Sequence, residues 1–137
     1  MYVMSKKTNV ILVEKLLKVF INKNGRRPRI LLSSKETIEK KDGLHKFAIQ
    51  FSDLGFDVDF APTFVDTNHL VKQAIENDVH SIHLVVSAEE KMNPIEDIEA
   101  ALIKNDQSNI LVTEIETKEL KDSYVTGAIT LLKTLQK

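Results

Sequence analysis

The chain has 137 residues, enough for one domain with a single buried core and too few for two. With 42% hydrophobic and 28% charged residues it falls among globular proteins, and 19 Lys and Arg against 20 Asp and Glu leave no field that would draw nucleic acid or an acidic membrane. The absence of cysteine excludes disulfides, thiolate metal sites and a Cys nucleophile, and it suits a reducing cytoplasm.

In chain order the first element is a helix, "NVILVEKLLKVFINKN", where Leu16, Leu17, Phe20 and Ile21 continue a face begun at Val13. "GRRPRILLSS" gives a turn and a short first strand around Ile30 to Leu32. Leu44, Phe47, Ala48, Phe51 and Leu54 follow helical spacing, and Gly55 stands where a left-handed C-cap belongs. "FDVDF" alternates, with Phe56, Val58 and Phe60 on one face of a half-buried strand near a sheet edge. Leu70, Val71, Ala74 and Ile75 mark a helix entered from Asp66 or Thr67. "VHSIHLVVS" is a third strand, and its nearly continuous apolar run predicts a central position. "NPIEDIEAALIK" opens a helix with Asn93 as cap, Pro94 at the first helical position and Glu96 completing a capping box. "NILVTEI" is the fourth strand. Val125, Ala128, Ile129, Leu132 and Leu135 form the stripe of a closing helix, which tolerates Gly127 at about 1 kcal/mol.

Strands alternating with helices predict right-handed crossovers and an α/β, flavodoxin-like parallel sheet of four to five strands. The expected order is 2-1-3-4, with helices on both faces. Ligands in such sheets bind beyond the C-terminal strand ends. That rule directs attention to the loops Ser33 to Asp42, Ser87 to Asn93 and Glu114 to Lys121.

"GRRPRILL", "FSDLGFDVDF", "APTF" and "QAIENDVH" resemble the cobalamin-binding domain of methylmalonyl-CoA mutase and related acyl-CoA mutases, in register from Gly25 to about Leu102. The resemblance divides the chain into a helical lead-in, residues 1–24, and a cobalamin-binding-like domain, residues 25–137. It also implies the flavodoxin-like fold reached above. The large substrate barrel of a mutase has no counterpart in these residues, so no acyl-CoA site is expected.

The resemblance also implies a site, and the sequence departs from it at nearly every position. The family holds cobalt through a D-x-H-x-x-G motif after the first strand, and Ile38, Lys40 and Gly43 occupy those positions. Lys40 offers no free lone pair at neutral pH, and Ile38 cannot orient an imidazole by hydrogen bonding. Val85 and Ser87 stand at the Ser and Leu positions of a family S-x-L motif. Ile115 and Glu116 replace a Gly-Gly pair that lets the nucleotide tail of cobalamin run close to the backbone. The family's fifth strand is missing or reduced to "SYVTGA".

Other candidates are weaker. His45 in "DGLH" is the alternative cobalt ligand, although Asp42 as helix cap and His45 on the first turn account for the same residues. His80 and His83, at odd spacing on the third strand, are expected on opposite faces as packing or surface residues, and His69 stands alone on its helix. Ser33 and Ser34 fit turn chemistry, with contact to a small polar ligand as the alternative. Lys35 with "IEKK", and the acids of "AEEK" and "IEDIEA", fit a solvated surface. Neither phosphate-binding glycine motif occurs.

The expectation is therefore a cytoplasmic, non-catalytic domain of cobalamin-binding type, with no catalytic residues, no metal and no cofactor. It would be a structural or interaction subunit of a mutase catalytic chain or of a homo-oligomer, without nucleic acid or membrane partners. The alternative is the cobalamin-carrying small subunit of a two-chain isomerase, holding the cofactor without the family histidine.

Overall fold

The computed structural model describes residues 6–34, 41–61, 66–86, 94–116 and 124–136. The elements are α1 (Lys6–Asn24), β1 (Arg29–Ser34), α2 (Lys41–Leu54), β2 (Asp57–Phe60), α3 (Thr67–Glu76), β3 (Ser81–Val86), α4 (Pro94–Lys104), β4 (Leu111–Glu116) and α5 (Tyr124–Leu135). The strands form one parallel sheet of order β2-β1-β3-β4, as the alternation of elements predicts.

Alternation along each strand sorts side chains into two cores. Ile30 and Leu32 of β1, Val85 of β3 and Ile115 of β4 face a layer of three helices, meeting Phe20 of α1, Phe51 of α2 and Leu132 of α5. Leu31, Ile82 and Leu84 face the opposite layer, packing on Leu70 and Val71 of α3 and Ile98 and Leu102 of α4. β3 is buried on both faces because it lies between β1 and β4, which explains its unbroken apolar run. The lead-in helix is part of the same packing: Val13, Leu17 and Phe20 are buried beside α5, and Gln136 Nε2 donates to the Leu16 carbonyl at 2.9 Å.

The helix ends follow local chemistry. Asp66 caps α3, its carboxylate accepting from the Asn68 N–H at 2.9 Å. Gly55 closes α2 at φ +113°, and a Cβ built there lies 2.8 Å from Leu17 Cδ1. Gly55→Ala is therefore expected to destabilise the fold by about 1–3 kcal/mol, through backbone strain and displacement of Leu17. A urea titration checks this, and the midpoint should fall with no change in m-value.

Four local readings need correction. The first strand runs beyond Leu32, and Ser33 and Ser34 pair with Leu84 and Val85 of β3. Both serines are buried strand residues, because the ladder with β3 continues past the apolar run. α2 already runs at Lys41, so Asp42 lies within the helix and does not precede it. Phe60 is 42% exposed, since it ends β2, an edge strand of the sheet. His80 precedes β3 at a bend, so alternation does not govern it. Its ring meets Phe20 edge-on at 5.0 Å, on the same side of the sheet as His83.

Candidate functional site

The loops that continue β1 and β3 contain Ile38, Lys40 and Ser87, which lie outside the described residues. Gly43 sits in the first turn of α2, and Glu116 ends β4 opposite Val86. The two remaining site positions come together. Val85 and Ile115 are register partners across β3 and β4, and both point into the three-helix layer, at 0% and 8% exposure. Sequence reading took them from separate motifs thirty residues apart. Parallel pairing makes them a single apolar contact.

His45 takes no part in that contact. It is exposed on α2, with its ring 5.0 Å from Phe60 on the β2 side. Phe47 and Phe51, which lie along the same helix, face inward and stack at 4.4 Å. Among the described residues no group of three or more His, Cys, Asp or Glu side chains could hold a metal ion, and no helix is long and apolar enough to cross a membrane.

A cavity of about 450 Å³ lies below Ile115, between β4, α5 and the inner face of α2. Its origin is visible in α5. The apolar stripe of Val125, Ala128, Leu131 and Leu132 is buried in the core, whereas the neighbouring Thr126, Gly127 and Thr130 are exposed and line the open side of the cavity with little volume. Thr113 and Glu114 of β4 stand at its exposed rim, and Phe47, Phe51 and Ile115 are among its apolar walls.

His83 reaches this cavity from β3. It is 4% exposed, its ring centroid lies 6.1 Å from Phe47 and 6.0 Å from Phe51, and neither ring nitrogen has a hydrogen-bond partner among the described residues. Burial alone pushes the imidazole down from its ordinary 6.5 to about 4, so the ring is neutral near pH 7. The buried imidazole thus carries one donor and one acceptor in apolar surroundings, an arrangement that costs about 1–3 kcal/mol for each unsatisfied group. His80 differs: it is half-buried, and its Nδ1 accepts from the Arg29 N–H at 3.0 Å. Its pKa is also lowered, by burial first and then by the Arg26 charge.

Sequence reading placed His83 among packing or surface residues and did not find the cavity. One signal was available, the Thr126, Gly127, Thr130 and Thr134 face beside the apolar stripe of the closing helix.

No protein-family profile matches the chain. Individual relatives do. A methylmalonyl-CoA mutase of Escherichia coli is 43% identical over 63 residues, which cover 46% of this chain and 9% of that protein. The methylmalonyl-CoA mutase large subunit of Porphyromonas gingivalis is 34% identical over 100 residues, covering 73% of this chain and 14% of the relative. A probable methylmalonyl-CoA mutase large subunit of Mycobacterium tuberculosis is 29% identical over 126 residues, 90% of this chain and 17% of the relative. The chain thus spans only 9% to 17% of the length of these relatives. With its parallel sheet of order β2-β1-β3-β4 and this likeness across most of its length, the chain is a domain related to methylmalonyl-CoA mutase.

Proposed function

We propose that the chain is a non-catalytic domain of cobalamin-binding type that no longer holds the cofactor and serves as a structural or interaction subunit, pairing with a mutase catalytic chain or with a second copy of itself. The contact between Val85 and Ile115 carries this reading. The resemblance assigns a hydroxyl and a glycine to these two positions, and here two branched apolar side chains pack together at the top of the sheet. A tail that needs the backbone close by would meet the Ile115 side chain first. The residues present do not fit the cofactor on a second count, since His45 is turned to Phe60 on the far side of α2 from the cavity. Two of the relatives are named as large subunits, which supports a place for this chain in an assembly.

A second reading is the cobalamin-carrying small subunit of a two-chain isomerase. The cavity of about 450 Å³ beside β4 and α5 favours it, because part of the interior next to Ile115 stays open.

Gel filtration after mixing with hydroxocobalamin distinguishes the two. The protein peak is expected to be colourless, and Lys40→His alone is expected to leave it so, because Ile115 still fills its place. A red peak with stoichiometric cobalt would overturn the first reading in favour of the second.

A further inference from the structure

We infer that the outer edge of β4 is a docking surface for a second copy of this chain, which pairs through its own β4 in antiparallel orientation about a two-fold axis at Thr113. The inference deepens the reading of the chain as an interaction subunit and rests on it.

Among the described residues β2 and β4 are the two edges of the sheet, and they are finished differently. β2 has four residues, its Asp57 and Asp59 carboxylates face Arg29 at 3.9 and 3.3 Å, and the Phe60 carbonyl accepts from Gln73 Nε2 at 3.2 Å. A short, charged and partly bonded edge resists pairing with another chain. β4 has six residues. The Leu111 N–H donates to the His80 carbonyl at 3.1 Å, so Leu111 and, by alternation, Thr113 and Ile115 turn their peptide groups toward β3. The N–H and C=O of Val112 and Glu114 therefore point away from the sheet, with no strand beside them among the described residues. Room for one exists, because Thr126, Gly127, Thr130 and Thr134 of α5 are exposed and small where they bound the open space beside β4.

The sequence of β4 complements itself in one register. An antiparallel pair centred on Thr113 sets Val112 opposite Glu114 of the copy as a hydrogen-bonded pair, and two-fold symmetry repeats it, so the outward N–H and C=O groups of both strands are used. Thr113 meets its own copy in the non-hydrogen-bonded position. Half-buried Leu111 comes beside Ile115 of the copy on the α5 side of the sheet, an apolar cross-strand pair. The neighbouring register, centred on Glu114, would set two carboxylates directly opposite each other and is disfavoured.

The test combines sedimentation equilibrium with cysteine crosslinking. The unaltered chain is expected to form a reversible dimer, twice its mass of 15.6 kDa, with a Kd of about 1–100 µM for so small a paired edge. Glu114→Pro removes an outward donor and leaves the ladder to β3 intact, so it should weaken the dimer about tenfold or more. The chain has no cysteine, so Thr113→Cys places a single thiol at the axis. Facing residues of a non-hydrogen-bonded antiparallel pair have Cα atoms about 4.5 Å apart, within the reach of a disulfide. Oxidised with diamide, Thr113→Cys should give a covalent dimer about tenfold or more faster than Glu114→Cys, whose thiols stand two residues out of step in this register. That comparison keeps the test independent of whether Glu114→Pro folds. A monomer at every concentration up to about 1 mM, a dimer indifferent to Glu114→Pro, or equal crosslinking of the two cysteine variants would overturn the interface. So would protection of β4 from hydrogen exchange by a methylmalonyl-CoA mutase catalytic chain while the chain alone stays monomeric, which assigns the edge to that partner. The cofactor-free function fails separately, through retention of hydroxocobalamin on gel filtration, whatever the state of association.

Discussion

Phe51→Ala is expected to lower the free energy of unfolding by about 3–5 kcal/mol, the range for a large aromatic removed from a core. Phe51 is 1% exposed and stands at the junction of three rings, stacking on Phe47 at 4.4 Å and packing against Phe56 at 5.0 Å and His83 at 6.0 Å. Aromatic pairs of this kind add about 0.5–1.5 kcal/mol each beyond area burial. The position matters more than the ring count. Phe51 already walls the cavity of about 450 Å³, so truncation opens the core into space that neighbouring side chains do not fill. Partial collapse, the usual means of reducing the cost of a cavity, has little material to draw on here. Equilibrium urea unfolding of the variant against the parent checks the value, and a loss below about 1 kcal/mol would contradict this account of the core.

The second large effect is an acid limb set by His83. Its folded pKa of about 4 lies below the ordinary 6.5, so between these values the unfolded chain binds a proton that the folded chain does not. Stability is therefore fully present above about pH 6.5 and declines as the pH falls toward 4. The integrated loss is about 3 kcal/mol from this one residue. Replacing it with leucine removes the titration: His83→Leu should flatten the stability profile between pH 6.5 and 4 relative to the parent. His80, also lowered, contributes in the same direction and persists in the variant. Urea midpoints measured across that interval check the difference. Parallel profiles for parent and variant would show that His83 does not titrate in a buried state.

Much of the fold is legible locally. The Leu44, Phe47, Ala48 and Phe51 spacing, closed by Gly55, marks α2, although the helix begins at Lys41, before the apolar face does. Asp66 announces α3 and caps it. The C-terminal end of β1 is not legible locally, because Ser33 and Ser34 carry no apolar signal and are strand residues only through pairing with β3.

The site divides along the same line. That Ile115 stands where the resemblance expects glycine is a matter of sequence alone. That Ile115 touches the same core as Val85 depends on the register of β3 and β4, which no local pattern encodes. His83 shows the limit most plainly. Alternation gives its face of the sheet, but its lack of a partner depends on what α2 and α5 bring to that face: two phenylalanines and a strip of small residues.

The sequence by itself determined the order of elements, the parallel sheet with β3 at its centre, and the identities of the residues at the positions the resemblance marks out. Periodicity and capping are properties of neighbouring residues, and they survive without knowledge of the rest of the chain. Only the tertiary structure decided that α1 completes the core beside α5, that Val85 and Ile115 meet, and that a cavity remains next to a buried His83 that has no hydrogen-bond partner among the described residues. Each depends on how completely side chains from distant segments fill a shared volume, and packing is settled between elements, after the pattern within each has been satisfied.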